Sequence, residues 1–286
     1  MKKSNRARLS LIISMVMFGT LAPFVRNIAV SSAELALYRA ILAALLIGGF
    51  LLVTRQRIPL KGLGRELPLL LVSGMAMGIN WILLFEAYKY TTVAISTLSY
   101  YFAPVIVTVV CPFLFKEKLT KKQILCFIMS TLGLALVIGI TDLGRGGNDT
   151  LGVLFGLGAA VFYATVILLN KFIRGVAGIH RTFLQFLAAI LILVPYVTVQ
   201  GSVSLGGLDS LGWICLLIVG LVHTGITYCL YFSSLKELPG QEAAILSYID
   251  PLVAVIIGVA VLGEPLSWQQ LIGGGLILGF TLWNEL

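Results

Sequence analysis

The stretch from Gly78 to Gln123 returns 147 residues later as Gly225 to Gln270, without a gap. Gly78 meets Gly225, Phe85 meets Phe232, Lys89 meets Lys236 and Tyr101 meets Tyr248. Pro104 meets Pro251, Glu117 meets Glu264, Leu119 meets Leu266 and Gln123 meets Gln270. Both copies lie in strongly apolar sequence. Two similar apolar halves point to a membrane carrier, in which the site is expected where the halves meet.

Hydrophobic residues make up 59% of the chain and charged residues 11%. A water-soluble domain carries about 25% charge, so this chain is expected to use lipid as its solvent. A helix crosses the bilayer with about 20 apolar residues. Ten segments qualify: Leu9–Ala29, Ala33–Thr54, Leu67–Tyr88, Thr91–Phe115, Ile124–Ile140, Leu151–Lys171, Ile179–Val199, Leu211–Phe232, Glu242–Leu262 and Leu266–Trp283. They consume nearly the whole sequence and predict one membrane domain. Strands of a membrane barrel would alternate polar and apolar residues over about ten positions. These runs are continuous and about twice as long, so the expected class is all-α, with ten transmembrane helices. The first segment follows Lys2, Lys3, Arg6 and Arg8, as a signal peptide would. No small-residue cleavage site follows, and it is read as a retained span.

Sixteen of the 20 basic residues fall on one side of this layout. They are Lys2, Lys3, Arg6 and Arg8; Arg55, Arg57, Lys61 and Arg65; Lys116, Lys118, Lys121 and Lys122; Lys171, Arg174 and Arg181; and Lys236. Arg26, Arg39, Lys89 and Arg145 are left for the other side. Basic loops stay in the cytoplasm, which predicts a protein of the cytoplasmic membrane with both termini inside. The same rule accounts for the net charge of +8, and no nucleic-acid partner is implied. Five helices per half is an odd number, so residues 1–141 and 151–286 should cross the bilayer in opposite directions, as an inverted repeat.

The four cysteines, Cys111, Cys126, Cys215 and Cys229, lie inside predicted helices without metal or disulfide spacing, and read as small packing residues. No metal or cofactor is expected. Gly74/Gly78, Gly152/Gly156 and Gly275/Gly279 repeat the G-x-x-x-G spacing that lets helices approach. Such contacts can be internal, so no oligomer is implied.

Certain motifs resemble the ten-helix EamA family of the drug/metabolite transporter superfamily. The strongest is Leu262-Gly263-Glu264-Pro265-Leu266-Ser267 with Gln270-Leu271-Ile272-Gly273. Phe115-Lys116-Glu117-Lys118-Leu119-Thr120 is a weaker copy, and Phe18-Gly19 and Tyr38-Arg39 add to the match. Lys116 and Lys118 depart from the pattern, which usually has small or apolar residues there. The resemblance implies export, or less often import, of amino acids and related small metabolites. It also implies a central cavity lined by spans 1, 3, 4, 6, 8 and 9, with spans 5 and 10 as outer support.

Polar groups inside the spans are the candidate site. Asp250 is costly at membrane depth unless it meets water or a partner. Ala243, Ser247 and Asp250 share one helix face; their repeat mates are Ser96, Tyr100 and Ala103. Pro104 and Pro251 are expected mid-helix, freeing the carbonyls of Tyr100 and Ser247. His223, Thr227 and Tyr231 form a stripe, Asn80 is the mate of Thr227, and Trp81 is the mate of Tyr228. Tyr100, Tyr101, Phe102 and Tyr163 could hold an ammonium by cation–π attraction. Against each stands a plain packing role. Glu86, Arg26 and Arg39 read as an ion-pair cluster near the outer helix ends or as an outer gate. With those cations outermost, the centre is expected to favour a positive group. Glu117 and Glu264 read as structural residues at helix ends.

The substrate expected is therefore a small amino acid, amine or related metabolite, moved by alternating access, with export as the favoured direction. The chain lacks the G-x-x-x-x-G-K-[ST] phosphate cradle, so a substrate, proton or ion gradient must drive it; Asp250 either binds the positive group of the substrate or carries a coupling proton, and His223 is either a packed hydrogen-bonding group or a proton carrier. Import of a quaternary amine is the alternative within that class. An intramembrane enzyme would need a catalytic cluster such as H-E-x-x-H, which is not seen. A channel usually repeats about an axis along its pore.

Overall fold

The structure is a computed structural model that describes residues 3–56, 63–115, 120–138, 148–173, 175–176, 178–199, 205–235, 237–238 and 246–286. The expectations on Lys2, Arg57, Lys61, Lys116, Glu117, Lys118, Arg145, Arg174, Lys236 and Ala243 lie outside the described residues.

Every described segment of the ten is helical. The helices are α1 (Lys3–Gly19), α2 (Leu21–Arg26), α3 (Ser32–Val53), α4 (Leu63–Tyr90), α5 (Val93–Tyr100), α6 (Ala103–Phe115) and α7 (Lys121–Ile138). The second half continues with α8 (Asn148–Phe172), α9 (Ile179–Val199), α10 (Ser210–Leu217), a π-helical turn (Ile218–Ile226), α11 (Thr227–Leu235), α12 (Ile249–Ala260) and α13 (Trp268–Glu285). No strand occurs among the described residues. Among the described residues, seven stretches are long and apolar enough to cross a membrane: Asn5–Arg26, Ser32–Val53, Glu66–Tyr90, Val93–Val110, Asp149–Asn170, Ile179–Val199 and Ser210–Ser234. Ile249–Ala260 is a shorter apolar helix. Large apolar side chains such as Leu45, Leu52, Leu191 and Val199 face outward, as lipid rather than water requires.

The repeated motif has a plain local meaning: it starts a helix. Ser267 Oγ accepts the Gln270 N–H at 3.2 Å while Gln270 Oε1 accepts the Ser267 N–H at 3.0 Å. Their mates do the same, with Gln123 N–H to Thr120 Oγ1 at 3.2 Å and Thr120 N–H to Gln123 Oε1 at 2.8 Å. Each is a reciprocal cap that satisfies orphan donors of the first turn. Gly263, at φ +65°, supplies the left-handed turn that an L side chain resists. The turn brings Glu264 back toward α5, whose Val93 N–H donates to Glu264 Oε2 at 2.8 Å. Glu264 also pairs with Arg26.

Both prolines are placed differently from the sequence expectation. The helix stops at Tyr100, and Pro104 is the second residue of α6. A turn at Tyr248 precedes α12, and Pro251 is its third residue. In a first turn a proline lacks only an N–H that has no helical partner anyway. The spans are thus broken at the repeat mates Tyr101 and Tyr248 rather than kinked at the prolines.

The elements pack in matching pairs. α1 lies on α11 and α12, while α8 lies on α4, α5 and α6. α3 packs on α9 and on the π-helical turn, α4 on α9, and α7 on α13. Small residues set the closest approaches. A Cβ on Gly74 would meet the Gln185 carbonyl oxygen of α9 at 2.5 Å, and one on Gly152 would strike Thr91. Gly275 and Gly279 face open space instead. The largest buried cluster gathers the alanine face of α3, including Ala36, Ala40 and Ala43, around Trp81, Phe85 and Phe186.

Candidate functional site

Elements of both halves enclose two chambers that share one set of walls. The larger, of about 300 Å³, is lined by Met77, Asn80, Asn170, Arg181, Gln185 and Ser247 among others, on the side of the basic loops. The smaller, of about 110 Å³, is lined by Leu21, Arg39, Leu84, Tyr88, Thr97 and Ala254, on the opposite side. Phe18, Trp81, Tyr100, Tyr101, Tyr163, Tyr228 and Asp250 line both. They form an aromatic waist with one carboxylate in it.

The waist is assembled by packing. Tyr100 stacks on Tyr163 at 5.1 Å between ring centroids and meets Tyr101 edge-on at 5.7 Å. Phe18 and Phe186 each meet Tyr228 edge-on, at 5.2 and 5.4 Å, and Trp81 meets Phe186 at 5.5 Å. Edge-to-face and offset geometries are the favourable ones for aromatic pairs. Gly19 allows α1 to close on α12: a Cβ there would meet the Asp250 carbonyl oxygen at 2.7 Å. The Phe18-Gly19 pair therefore supplies both a ring for the waist and the room to bring it in.

Asp250 sits in the first turn of α12, where the partial positive charge of a helix N-terminus favours an anion. Tyr101 donates its hydroxyl to Asp250 Oδ2 at 2.6 Å. Tyr101 caps the C-terminal end of α5, so the bond spans the two helix breaks and joins the two halves of the chain.

Nine of the residues singled out in the sequence meet here: Asn80, Trp81, Tyr100, Tyr101, Tyr163, Tyr228, Tyr231, Ser247 and Asp250. Asn80 is buried and donates to the Ala159 carbonyl at 2.6 Å, which ties α4 to α8. Gln185 extends the polar wall by donating to Ser73 Oγ at 2.7 Å and Asn170 Oδ1 at 2.8 Å.

His223 and Thr227 do not line either chamber. The reason is the π-helical turn, whose wider register changes which residues share a face. Thr227 Oγ1 donates to the Val222 carbonyl at 2.8 Å, and Thr224 Oγ1 to the Val219 carbonyl at 2.7 Å. His223 instead bridges to Thr20 Oγ1 at 3.2 Å and packs on Phe24. These side chains fasten α1 and α2 to the turn.

The expected ion-pair cluster is also rearranged. Glu86 pairs with Lys89 at 3.0 Å, and Arg26 pairs with Glu264. Arg39 lies deeper, only 3% exposed. Its Nε donates to Thr224 Oγ1 at 3.0 Å, and its guanidinium lies 4.5 Å from the Trp81 ring centroid and 5.2 Å from that of Phe85. Arg39 and Asp250 thus border the same chamber, so the expectation of a centre without a cation is overturned. Arg39 lies seven residues inside α3, which at about 1.5 Å per residue carries it well below the helix end. Its position in the Tyr38-Arg39 motif was the signal in the sequence. Arg181, at the mouth of the larger chamber, is held by the carbonyls of Val176 and Asn170.

Comparison with known proteins gives a consistent result. The profile of the EamA-like transporter family matches residues 5–139 and again residues 150–284. The chain is 32% identical to the uncharacterized transporter YxxF of Bacillus subtilis, over 98% of this chain and 89% of that one. It is 30% identical to an uncharacterized transporter of Archaeoglobus fulgidus, over 96% of both. It is 23% identical to the biotin transporter of Escherichia coli, over 89% of this chain and 83% of that one. A solved crystal structure, 16% identical, shares the fold with a TM-score of 0.65 over 98% of this chain and 96% of its own.

Proposed function

This chain belongs to the EamA-like transporter family and is a multi-pass membrane transporter rather than an enzyme, and on that premise we propose that it is a secondary carrier working by alternating access. Residues 1–141 and 151–286 act as two inverted five-helix repeats in the cytoplasmic membrane, with both termini in the cytoplasm. The packing supports the exchange of halves: the first span meets the eighth and ninth, and the sixth meets the third and fourth. The caps at Thr120 and Ser267 and the breaks at Tyr101 and Tyr248 recur at repeat mates.

The substrate is a small metabolite with an ammonium group, an amino acid or amine, exported from the cell. The observation that carries this is Asp250, a carboxylate in an aromatic waist shared by both chambers. A carboxylate among ring faces attracts a cation by charge and by cation–π contact. The alternative role for the same carboxylate is exchange of a coupling proton, which the uptake and exchange assays below distinguish.

Counterflow tests the carrier mechanism. Purified protein in liposomes loaded with unlabelled amino acid should accelerate entry of the labelled compound, as an exchanging site demands. Equal rates from loaded and empty liposomes would exclude a carrier. A single cysteine at Asp149 should react with an external, impermeant thiol reagent, and one at Lys61 should not.

A further inference from the structure

Arg39 has a capacity that the proposed carriage of an ammonium leaves unused. Its side chain is almost wholly buried. Nε is taken by Thr224, but among the described residues neither terminal nitrogen has an acceptor or an ionic partner. The residue lines the smaller chamber together with Asp250. The ring faces of Trp81 and Phe85 hold the guanidinium in place, which leaves its terminal N–H donors without a protein acceptor among the described residues. A buried, preorganised guanidinium is costly without an anion, and its fork matches a carboxylate. Asp250 is not that anion, since it accepts from Tyr101 and no ion pair joins it to Arg39 among the described residues.

We propose that Arg39 is the cationic pole of the substrate site. It takes the carboxylate of the transported molecule through its terminal nitrogens, while Asp250 takes the ammonium of that same molecule. The substrate is then a zwitterion, with its two charges in the smaller chamber and its side chain turned past the waist into the larger one. Met77, Val166 and Ile167 there offer apolar surface to that side chain. Arg39 sets specificity: a compound with an ammonium and no carboxylate leaves the guanidinium buried and unpaired, and is rejected. The inference rests on the ammonium reading of Asp250.

The test is competition for counterflow in liposomes containing the full chain. The probes are the 20 common amino acids, the carboxamide of each, and biotin as a carboxylate without an ammonium. At least one acid should compete about tenfold or more better than its amide, the ordinary worth of a charge-assisted pair. In Arg39→Gln that ratio should fall to near one, and Arg39→Lys should be intermediate because an ammonium lacks the fork. Thr224→Val, which frees Nε, gives a second reading of the ratio should Arg39→Gln not fold. An unchanged ratio in the variants that fold, or a ratio near one for every pair in the unmodified protein, overturns the proposal. So does amide exchange that requires chloride, since the anion would then be a separate ion. Competition by amides alone would overturn this inference and leave the ammonium reading standing. Competition by biotin alone, or by none of the probes, would overturn both.

Discussion

Arg26 in α2 pairs with Glu264 in the second half, and the other oxygen of Glu264 accepts the N–H of Val93 at the start of α5. One carboxylate thus holds three segments together at the side away from the basic loops. Glu264 is nearly buried, with 7% of its side chain exposed against 33% for Arg26. Losing the carboxylate strands a buried N–H and a cation together.

Glu264→Ala should therefore destabilise the protein by about 1–3 kcal/mol, the cost of an unsatisfied buried donor. Glu264→Gln keeps an acceptor for Val93 and should lose less. Thermal unfolding in detergent measures both. Equal midpoints for the two variants would mean that the cap contributes nothing beyond the charge.

Tyr101→Phe and Asp250→Asn separate the two partners of the waist. Asp250→Asn removes the charge, and should weaken transport about tenfold or more while leaving the protein in the membrane. Tyr101→Phe keeps the charge and removes one donor, so it should cost less in affinity. If Asp250 carries the coupling proton, its Asn variant should lose pH-driven net uptake but retain exchange. Unchanged net uptake and exchange would reduce Asp250 to a structural residue.

Thr227 gives the opposite expectation. Its hydroxyl serves the Val222 carbonyl in the π-helical turn, away from both chambers. Thr227→Val should cost about 1 kcal/mol in stability and leave the substrate concentration for half-maximal transport unchanged. A shifted half-maximal concentration at unchanged stability would put Thr227 back in the site.

Much of this arrangement is legible in the sequence. The apolar runs locate the helices, and the intramembrane acid and aromatics locate Asn80, Tyr100, Tyr163 and Asp250 in one cavity. The errors have physical causes. A period of 3.6 residues fails over Ile218–Ile226, where a π-helical turn takes over, so His223 and Thr227 leave the chamber face that their spacing predicts. Proline was read as a mid-helix defect at Pro104 and Pro251, although each is equally at home in a first turn. The layout of the spans puts Arg39 toward the outer helix ends with Arg26 and Lys89, whereas the fold holds it deeper. A ring face and a threonine hydroxyl made the depth tolerable, and only the fold brings Trp81, Phe85 and Thr224 to that place.

Glycine substitutions test how the helices approach. Gly19→Ala places a methyl against the Asp250 carbonyl, and Gly74→Ala against that of Gln185. Both should destabilise by about 1–3 kcal/mol, the usual range for overpacking. Gly275→Ala enters open space and should be neutral or slightly stabilising, since alanine favours the helix. Unfolding midpoints that fall alike for all three would show that backbone proximity is not the cause.

α7 and α13 meet through reciprocal glycines: a Cβ on Gly133 would lie 2.6 Å from the Gly273 carbonyl oxygen, and one on Gly273 would lie 2.5 Å from that of Gly133. Leu276 and Ile277 on one side and Leu136 and Val137 on the other close the joint around the two glycines. At this separation any larger side chain at either glycine would strike the facing carbonyl. In the proposed alternating-access cycle α7 and α13 are the fixed support, and the moving parts are left to the helices broken at Tyr101 and Tyr248.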